Sequence, residues 1–247
     1  ECTLHNVVRL PNEIFGDFAG EVKVDTCIFV ASTCVASVRS NTLIMIYESF
    51  ERIDEITIDT AHHVYEVETS IWFGTPEQII SLSDPVQVRL WHKLEAEYQV
   101  LEDLCEFCLG LTPYDKYQGH TPKQISEKAF HANFQKDNTY KPLLLSGDVS
   151  RYEIIWNEKD WISYGTWLAA PREQKFFTEP RILVQQIIDW STLRIWAGYT
   201  DEELYNTQNQ FNLLAKPGVN IFYILGVINS RLMSFYHRSR FLDISVQ

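Results

Sequence analysis

The chain has 247 residues, 45% of them hydrophobic and 13% aromatic. That composition excludes a disordered, collagenous or coiled-coil protein, and the length allows one large domain or one domain with a piece of another. The formal charge is −12, which at face value argues against a nucleic-acid partner. The charge is unevenly placed, however. Residues 1–110 carry 6 basic and 19 acidic side chains, a balance of −13, whereas residues 111–247 carry 15 and 14, a balance of +1. An acidic front and a balanced back are expected.

No stretch reaches the roughly 20 apolar residues of a membrane span, and the most apolar tail, residues 221–235, is broken by Asn229, Ser230 and Arg231. No membrane partner is expected. The first residue is Glu1 and no leader pattern follows it, so the expectation is a processed chain or a piece of a longer one. The five cysteines are an odd count without scaffold spacing, which points to a reducing, cytoplasmic setting.

In chain order, residues 7–10, 22–30 and 41–47 read as strands. Their continuous apolar runs suit strands buried on both faces, as at the end of an α/β sheet. Asp84-Pro85 is a helix start, with Asp as the N-cap and Pro first in the helix. Val86, Leu90, Leu94, Tyr98 and Leu101 follow as one apolar stripe, predicting a connector helix. From residue 109 onward the runs are short and turns frequent, and residues 156–196 hold five of the seven tryptophans. Residues 141–145, 152–156 and 181–188 read as strands. A last helix is predicted near Asn220, with Ile221, Leu225, Ile228, Leu232 and Phe235 on one face.

Catalytic patterns are missing. There is no G-x-S-x-G, no phosphate-binding glycine loop, and no carboxylate pair at a telling spacing. Cys105 and Cys108 form a lone C-x-x-C without a second pair of ligands, so they read as two buried structural thiols. His62 and His63 are adjacent, and on a strand they point to opposite faces. Glu21-Val22-Lys23 imitates part of a nuclease motif, yet no second acidic residue at a suitable distance on another strand accompanies it, and it reads as a turn. No catalytic and no metal residues are assigned. Binding chemistry is better represented. Residues 113–123 form a polar loop with interleaved aromatics, and Lys, Gln, His and Tyr side chains reach base edges and phosphates. Residues 147–152 read as a tight turn that enters a strand and carries Arg151, and Arg172, Lys175, Arg181 and Arg194 lie among the tryptophans. An ordinary loop-rich domain with a Trp-rich core is the competing reading of these residues.

These residues also carry a resemblance. Gly119-His120-Thr121-Pro122 is followed by Leu143-Leu144-x-x-Gly147-Asp148-x-x-Arg151-Tyr152 and Tyr164-Gly165. Then come Pro180-Arg181-Ile182-Leu183-Val184-Gln185-Gln186-Ile187 and Ile228-Asn229-Ser230-Arg231-Leu232-x-x-Phe235-Tyr236. Over residues 100–240 this order resembles the C-terminal target-recognition domain of TaqI-like DNA adenine methyltransferases and type IIG restriction–modification enzymes. Phe15, Gly20 and residues 24–30 are similar to the last strands of the methyltransferase domain in the same enzymes. Two positions depart from the pattern: Ser146 stands where relatives often have a basic residue, and Gln185 where Arg is frequent.

The resemblance implies an α+β fold. A β-rich recognition domain with a C-terminal helix (106–247) would follow a connector helix (76–105) and a few α/β strands (1–75). It implies sequence-specific recognition of double-stranded DNA in a bacterial defence enzyme. The S-adenosylmethionine cofactor and the Pro-Pro motif would belong to an upstream methyltransferase domain of the parent, and this fragment would hold no cofactor. Tyr114, Lys116, Gln118, His120 and Lys123 are the candidates for the base side, and Arg151, Arg172, Lys175 and Arg181 for phosphate. The alternative is a carbohydrate- or protein-binding module with the tryptophans as an exposed platform.

Overall fold

A computed structural model describes residues 3–11, 26–33, 40–48, 53–73, 80–189 and 191–240. The chain divides into two compact units, residues 1–90 and 91–247. In the first, β1 (Thr3–Leu10), β2 (Thr26–Ser32), β3 (Asn41–Ile46) and β4 (His63–Glu68) form a sheet in the order β2-β1-β3-β4. β1 and β3 run parallel, and each outer strand is antiparallel to its neighbour. The central strands bury apolar side chains on both faces. Leu4, Val7, Ile44, Ile46 and Val67 surround Trp72 of the short α1 (Ser70–Phe73), while Val8, Leu10, Met45 and Tyr47 form a second cluster.

The strand expected at 22–30 is described only from Thr26, since 22–25, like the Glu21-Val22-Lys23 turn, lie outside the described residues. Its apolar run is not buried on both faces. It is an edge strand on which Phe29 is 68% exposed.

α2 (Pro85–Glu97) begins as the sequence predicts, with Asp84 Oδ1 accepting the Val86 N–H at 2.6 Å. The predicted stripe does not hold, because Val86 and Tyr98 are exposed and the buried residue is Trp91, whose indole N–H donates to Ser239 Oγ. After α3 (Leu101–Leu104) come β5 (Cys105–Leu109), α4 (Pro122–Ser126), β6 (His131–Ala132), β7 (Tyr140–Leu144), β8 (Trp161–Ser163) and α5 (Lys175–Thr178). The chain continues through β9 (Arg181–Gln185), β10 (Ala197–Thr200), β11 (Tyr205–Asn206) and β12 (Gln210–Ala215) to α6 (Ile221–Ile228) and α7 (Arg231–Arg240). One sheet, antiparallel throughout, has the order β10-β9-β12-β5; in the other, β11-β7-β8-β6, the β11–β7 pair is parallel and the other pairs antiparallel.

Alternation along the strands builds two cores. Ile182, Val184 and Leu213 pack with Ile224, Leu225 and Ile228 of α6. Leu183, from the opposite face of β9, packs with Leu144, Val149 and Leu204. The fold is thus α+β and sheet-rich, with helices at its C-terminal end.

Three predicted elements end differently. Residues 152–156 are not a strand, because Tyr152 adopts a left-handed backbone (φ 72°) and donates its N–H to the Ala197 carbonyl at 2.7 Å. β9 stops at Gln185, after which Gln186 donates to the Asn209 carbonyl. The last helix is two helices, since the Asn229 side chain is taken by β10 and Ser230 Oγ caps Met233. Past the break Leu232 and Phe235 face outward, at 48% and 38% exposure.

α7 is also held by charge. Glu95 Oε1 accepts from Tyr236 OH at 2.7 Å and Arg240 Nε at 3.2 Å. Burial alone would raise the Glu95 carboxyl, but these two hydrogen bonds outweigh it and hold its pKa below the ordinary value of 4.5. A carboxylate depressed in the fold contributes stability above its unfolded pKa and loses it as pH falls through the folded one. Glu95→Gln is therefore expected to cost less than about 1 kcal/mol at pH 7, the site being partly exposed. It is also expected to flatten the decline in stability below about pH 4.5, measured by urea midpoints across pH.

Candidate nucleic-acid interface

The loop that carries five of the nine candidates is rigidly built. Asp115 Oδ1 accepts the Tyr117 N–H at 2.8 Å, and its carbonyl accepts from Gln118 and His120. The turn of 3-10 helix at residues 116–118 ends on Gly119 at φ 92°, a conformation costly for any residue with a Cβ. Thr121 and Gln124 then form a reciprocal cap at the start of α4, where Pro122 takes the first helical position.

Within this loop the candidates separate into display and support. Lys116, Gln118 and Lys123 are exposed. The Lys116 ammonium sits 4.8 Å from the Tyr117 ring centroid, and Lys123 makes only a loose 4.0 Å pair with Glu127. Tyr114 points inward instead. It stacks on Phe130 at 5.1 Å, its hydroxyl accepts the Phe130 N–H and meets His131 Nδ1, and burial pushes its phenol pKa up. His120 is a strut as well. Nδ1 accepts the Asp115 N–H at 3.1 Å while Nε2–H donates to the Trp167 carbonyl at 2.9 Å, an assignment that satisfies both contacts with one neutral tautomer.

The four cations expected at phosphate part company too. Arg151 is exposed on a turn of its own, its guanidinium 4.8 Å from the Tyr152 ring and donating to the Asn229 carbonyl at 3.3 Å. Lys175 is bound by carboxylates, 2.6 Å from Glu106 and 3.8 Å from Glu173, and the Glu106 hydrogen bond raises its pKa. Arg172, Glu106 and Glu173 line a cleft of about 780 Å³ together with Glu102 and Lys216. Three carboxylates there oppose a phosphate backbone. Arg181 is fully enclosed, and its guanidinium donates to the carbonyls of Glu179, Glu202 and Leu204. The expectation that Arg181 reaches phosphate is therefore corrected: the side chain is inside the fold.

The departures at 146 and 185 find a structural use. The Gln185 amide donates to the Ser146 and Val149 carbonyls, Gln210 donates to the Leu145 carbonyl, and Asp148 accepts the Leu145 N–H. The exposed turn at 145–147 is thus held from below by two glutamines. Of the tryptophans in this half, Trp156 and Trp161 meet edge to face at 5.0 Å and Trp196 is half-buried. Trp167 lies over Gly165 with its N–H on the Ser163 carbonyl. Trp190 lies outside the described residues. Trp167 is 42% exposed and Trp156, Trp161 and Trp196 are half-buried, so among the described residues the tryptophans form no shared exposed platform. Cys105 is buried and Cys108 half-buried, and burial raises both thiol pKa values. Among the described residues no group of three or more His, Cys, Asp or Glu could hold a metal, and no helix is long and apolar enough to cross a membrane.

Residues 141–245 match the family model of the TaqI-like C-terminal specificity domain. The whole chain is similar to a protein of Methanocaldococcus jannaschii named as a type II restriction enzyme and methyltransferase, with 23% identity over 237 residues. That alignment covers 95% of this chain but 18% of the relative. The fold is shared with the type IIL restriction–modification enzyme MmeI, whose structure was solved in complex with DNA. The TM-score is 0.50 at 11% identity, over 96% of this chain and 32% of MmeI. The chain thus spans a minor part of both relatives. Within the matched segment fall Arg151, the two-glutamine turn and Asn229, and the 115–123 loop lies ahead of its start.

The sequence picked Tyr114 as the aromatic of the loop, whereas the structure projects Tyr117, which is 85% exposed. A signal was present: Asp115 two residues ahead and Gly119 two behind bracket position 117 as the tip of an Asx-type turn.

Proposed function

We propose that the second unit is the DNA sequence-recognition module of a type II restriction–modification enzyme. The observation that carries this reading is the specificity-domain match over residues 141–245, set beside a rigid loop that displays Lys116, Gln118 and Lys123. Lys116, Lys123 and Arg151 take phosphates and set the register, and Gln118 faces the base edges of double-stranded DNA. The acidic excess of the chain lies in residues 1–110, away from these groups in sequence.

The first unit is read as the trailing strands of an α/β methyltransferase domain, which its parallel β1–β3 pair supports. The parent chain would be an adenine-specific DNA methyltransferase using S-adenosylmethionine. Among the described residues of the first unit there is no glycine, so none of them is assigned as a cradle for that cofactor, and the piece itself is read as non-catalytic. The free thiols of Cys27, Cys105 and Cys108 suit a cytoplasmic location.

The test is a salt titration with a mixed-sequence duplex. A Lys116→Ala, Lys123→Ala, Arg151→Ala triple variant is expected to bind more weakly. Its slope of log affinity against log salt should be shallower by about two to three, near 0.9 for each phosphate no longer neutralised. Unchanged affinity and slope would remove this surface. A wild-type chain without salt-dependent duplex binding would remove the reading itself.

A further inference from the structure

Tyr117 stands out on three counts. At 85% exposure it is the most open large apolar or aromatic side chain among the described residues. Its backbone is nonetheless fixed: Asp115 holds its N–H, Gly119 closes the turn, and the His120 ring ties the loop to Trp167. Its chemical surroundings are cationic, with Lys116 against the ring and Lys123 on the same loop.

An exposed ring on a mobile loop would lose conformational freedom on binding, and that loss would offset the contact. Here the turn is already ordered, so a contact made by the ring keeps most of its free energy. The other strongly exposed aromatics differ in this respect: Phe29 lies on a sheet edge, Tyr98 just past α2, Phe134 in the bend after β6, and Phe222 and Tyr223 on the first turn of α6. Only Tyr117 among these six projects from a turn with one lysine against its ring and a second on the same loop. Lysines attract the phosphate backbone and carry no preference for a ring, whereas a flat aromatic set among them matches a base.

We propose that Tyr117 is a stacking anchor, whose ring inserts at a base step of the bound duplex and packs on a nucleobase partly unstacked from its neighbour, while Lys116 and Lys123 lie on the flanking phosphates. The proposal rests on the DNA-recognition reading above and names the uncharged contact within it. It assigns binding strength to a residue that carries no charge, and this sets its signature apart from that of the lysines.

The full chain is titrated with a duplex selected by that chain from a randomised library, at several salt concentrations. Tyr117→Ala is expected to weaken binding about tenfold with the salt slope unchanged, the scale of one base–aromatic stack. Tyr117→Phe keeps the ring and should bind within about twofold of wild type. With 2-aminopurine placed in turn along the duplex, one position should brighten on binding and lose that response in Tyr117→Ala. Wild-type affinity in Tyr117→Ala, or a loss equally large in Tyr117→Phe, would overturn the proposal while leaving the DNA reading intact. A wild-type chain that binds no duplex would overturn both. Since the side chain is exposed, an unchanged thermal midpoint is expected for each variant.

Discussion

Arg181→Met is expected to destabilise the second unit by about 4 kcal/mol, read as a shift of the urea midpoint at constant slope. Arg181 opens β9 and is fully buried, and its hydrogen bonds go to main-chain oxygens. Nη1 donates to the carbonyls of Glu179 and Glu202 at 3.1 and 3.0 Å, and Nη2 to that of Leu204 at 2.5 Å. Burial pulls the guanidinium down to about 10, which leaves it charged at neutral pH. Methionine keeps the length of the side chain but not its donors, so the buried Leu204 carbonyl and the part-buried carbonyls of Glu179 and Glu202 lose their partner, at up to about 1–3 kcal/mol for each. The desolvation cost of the charge is recovered at the same time, which keeps the net loss below that sum. Arg181→Lys should recover only part, since one ammonium cannot span three carbonyls that the planar fork reaches. The salt slope of DNA binding is expected to stay as in wild type, because Arg181 reaches no phosphate. A shallower slope in Arg181→Met would contradict the burial.

The residues that carried the family resemblance turn out to be mostly supports of the surface. His120 braces a loop, Asp148 closes a turn, Arg181 binds carbonyls and Asn229 joins a helix to a strand. This explains why their order was legible as a fold signature while the contact residues were not. Strands 7–10, 41–47 and 141–145 and the helix starts at Asp84 and Asn220 were readable because local chemistry decides them: apolar runs, an Asx cap, a proline. The remainder depends on distant partners. Nothing local marks Tyr152 for a left-handed backbone, because its N–H is claimed by Ala197. The charge on Arg181 reads as surface until three carbonyls surround it. The apolar run at 26–32 reads as interior until its place at a sheet edge is known. Asp115 and Gly119 mark Tyr117 as the tip of a turn, but that Tyr114 turns in depends on the distant pocket formed by Phe130 and His131.

Asn229→Ala is expected to cost about 3 kcal/mol and to weaken DNA binding as well. The apolar periodicity of residues 221–235 favours one continuous helix, and Asn229 is what interrupts it. Its side chain behaves like one residue of an added strand along β10, the outer strand of its sheet. Oδ1 accepts the Ala197 N–H at 3.1 Å and Nδ2 donates to the Ala197 carbonyl at 2.9 Å. The same Nδ2 reaches the Leu225 carbonyl at 3.1 Å and so closes the last turn of α6. All of this is fully buried, so alanine leaves the Ala197 N–H in the interior without an acceptor, and the hydrogen exchange of that amide should accelerate. Asn229→Asp is expected to be at least as damaging. It still accepts the N–H, but it sets a carboxylate oxygen against two carbonyls in a buried place. The effect on DNA follows from the main chain, because the Asn229 carbonyl accepts from both Arg151 at 3.3 Å and Arg194 at 2.9 Å. Loosening the end of α6 releases the guanidinium that sets Arg151 over Tyr152. Binding should fall at every salt concentration together with stability. A variant that loses stability while binding DNA with wild-type affinity under folding conditions would separate Arg151 from the recognition surface.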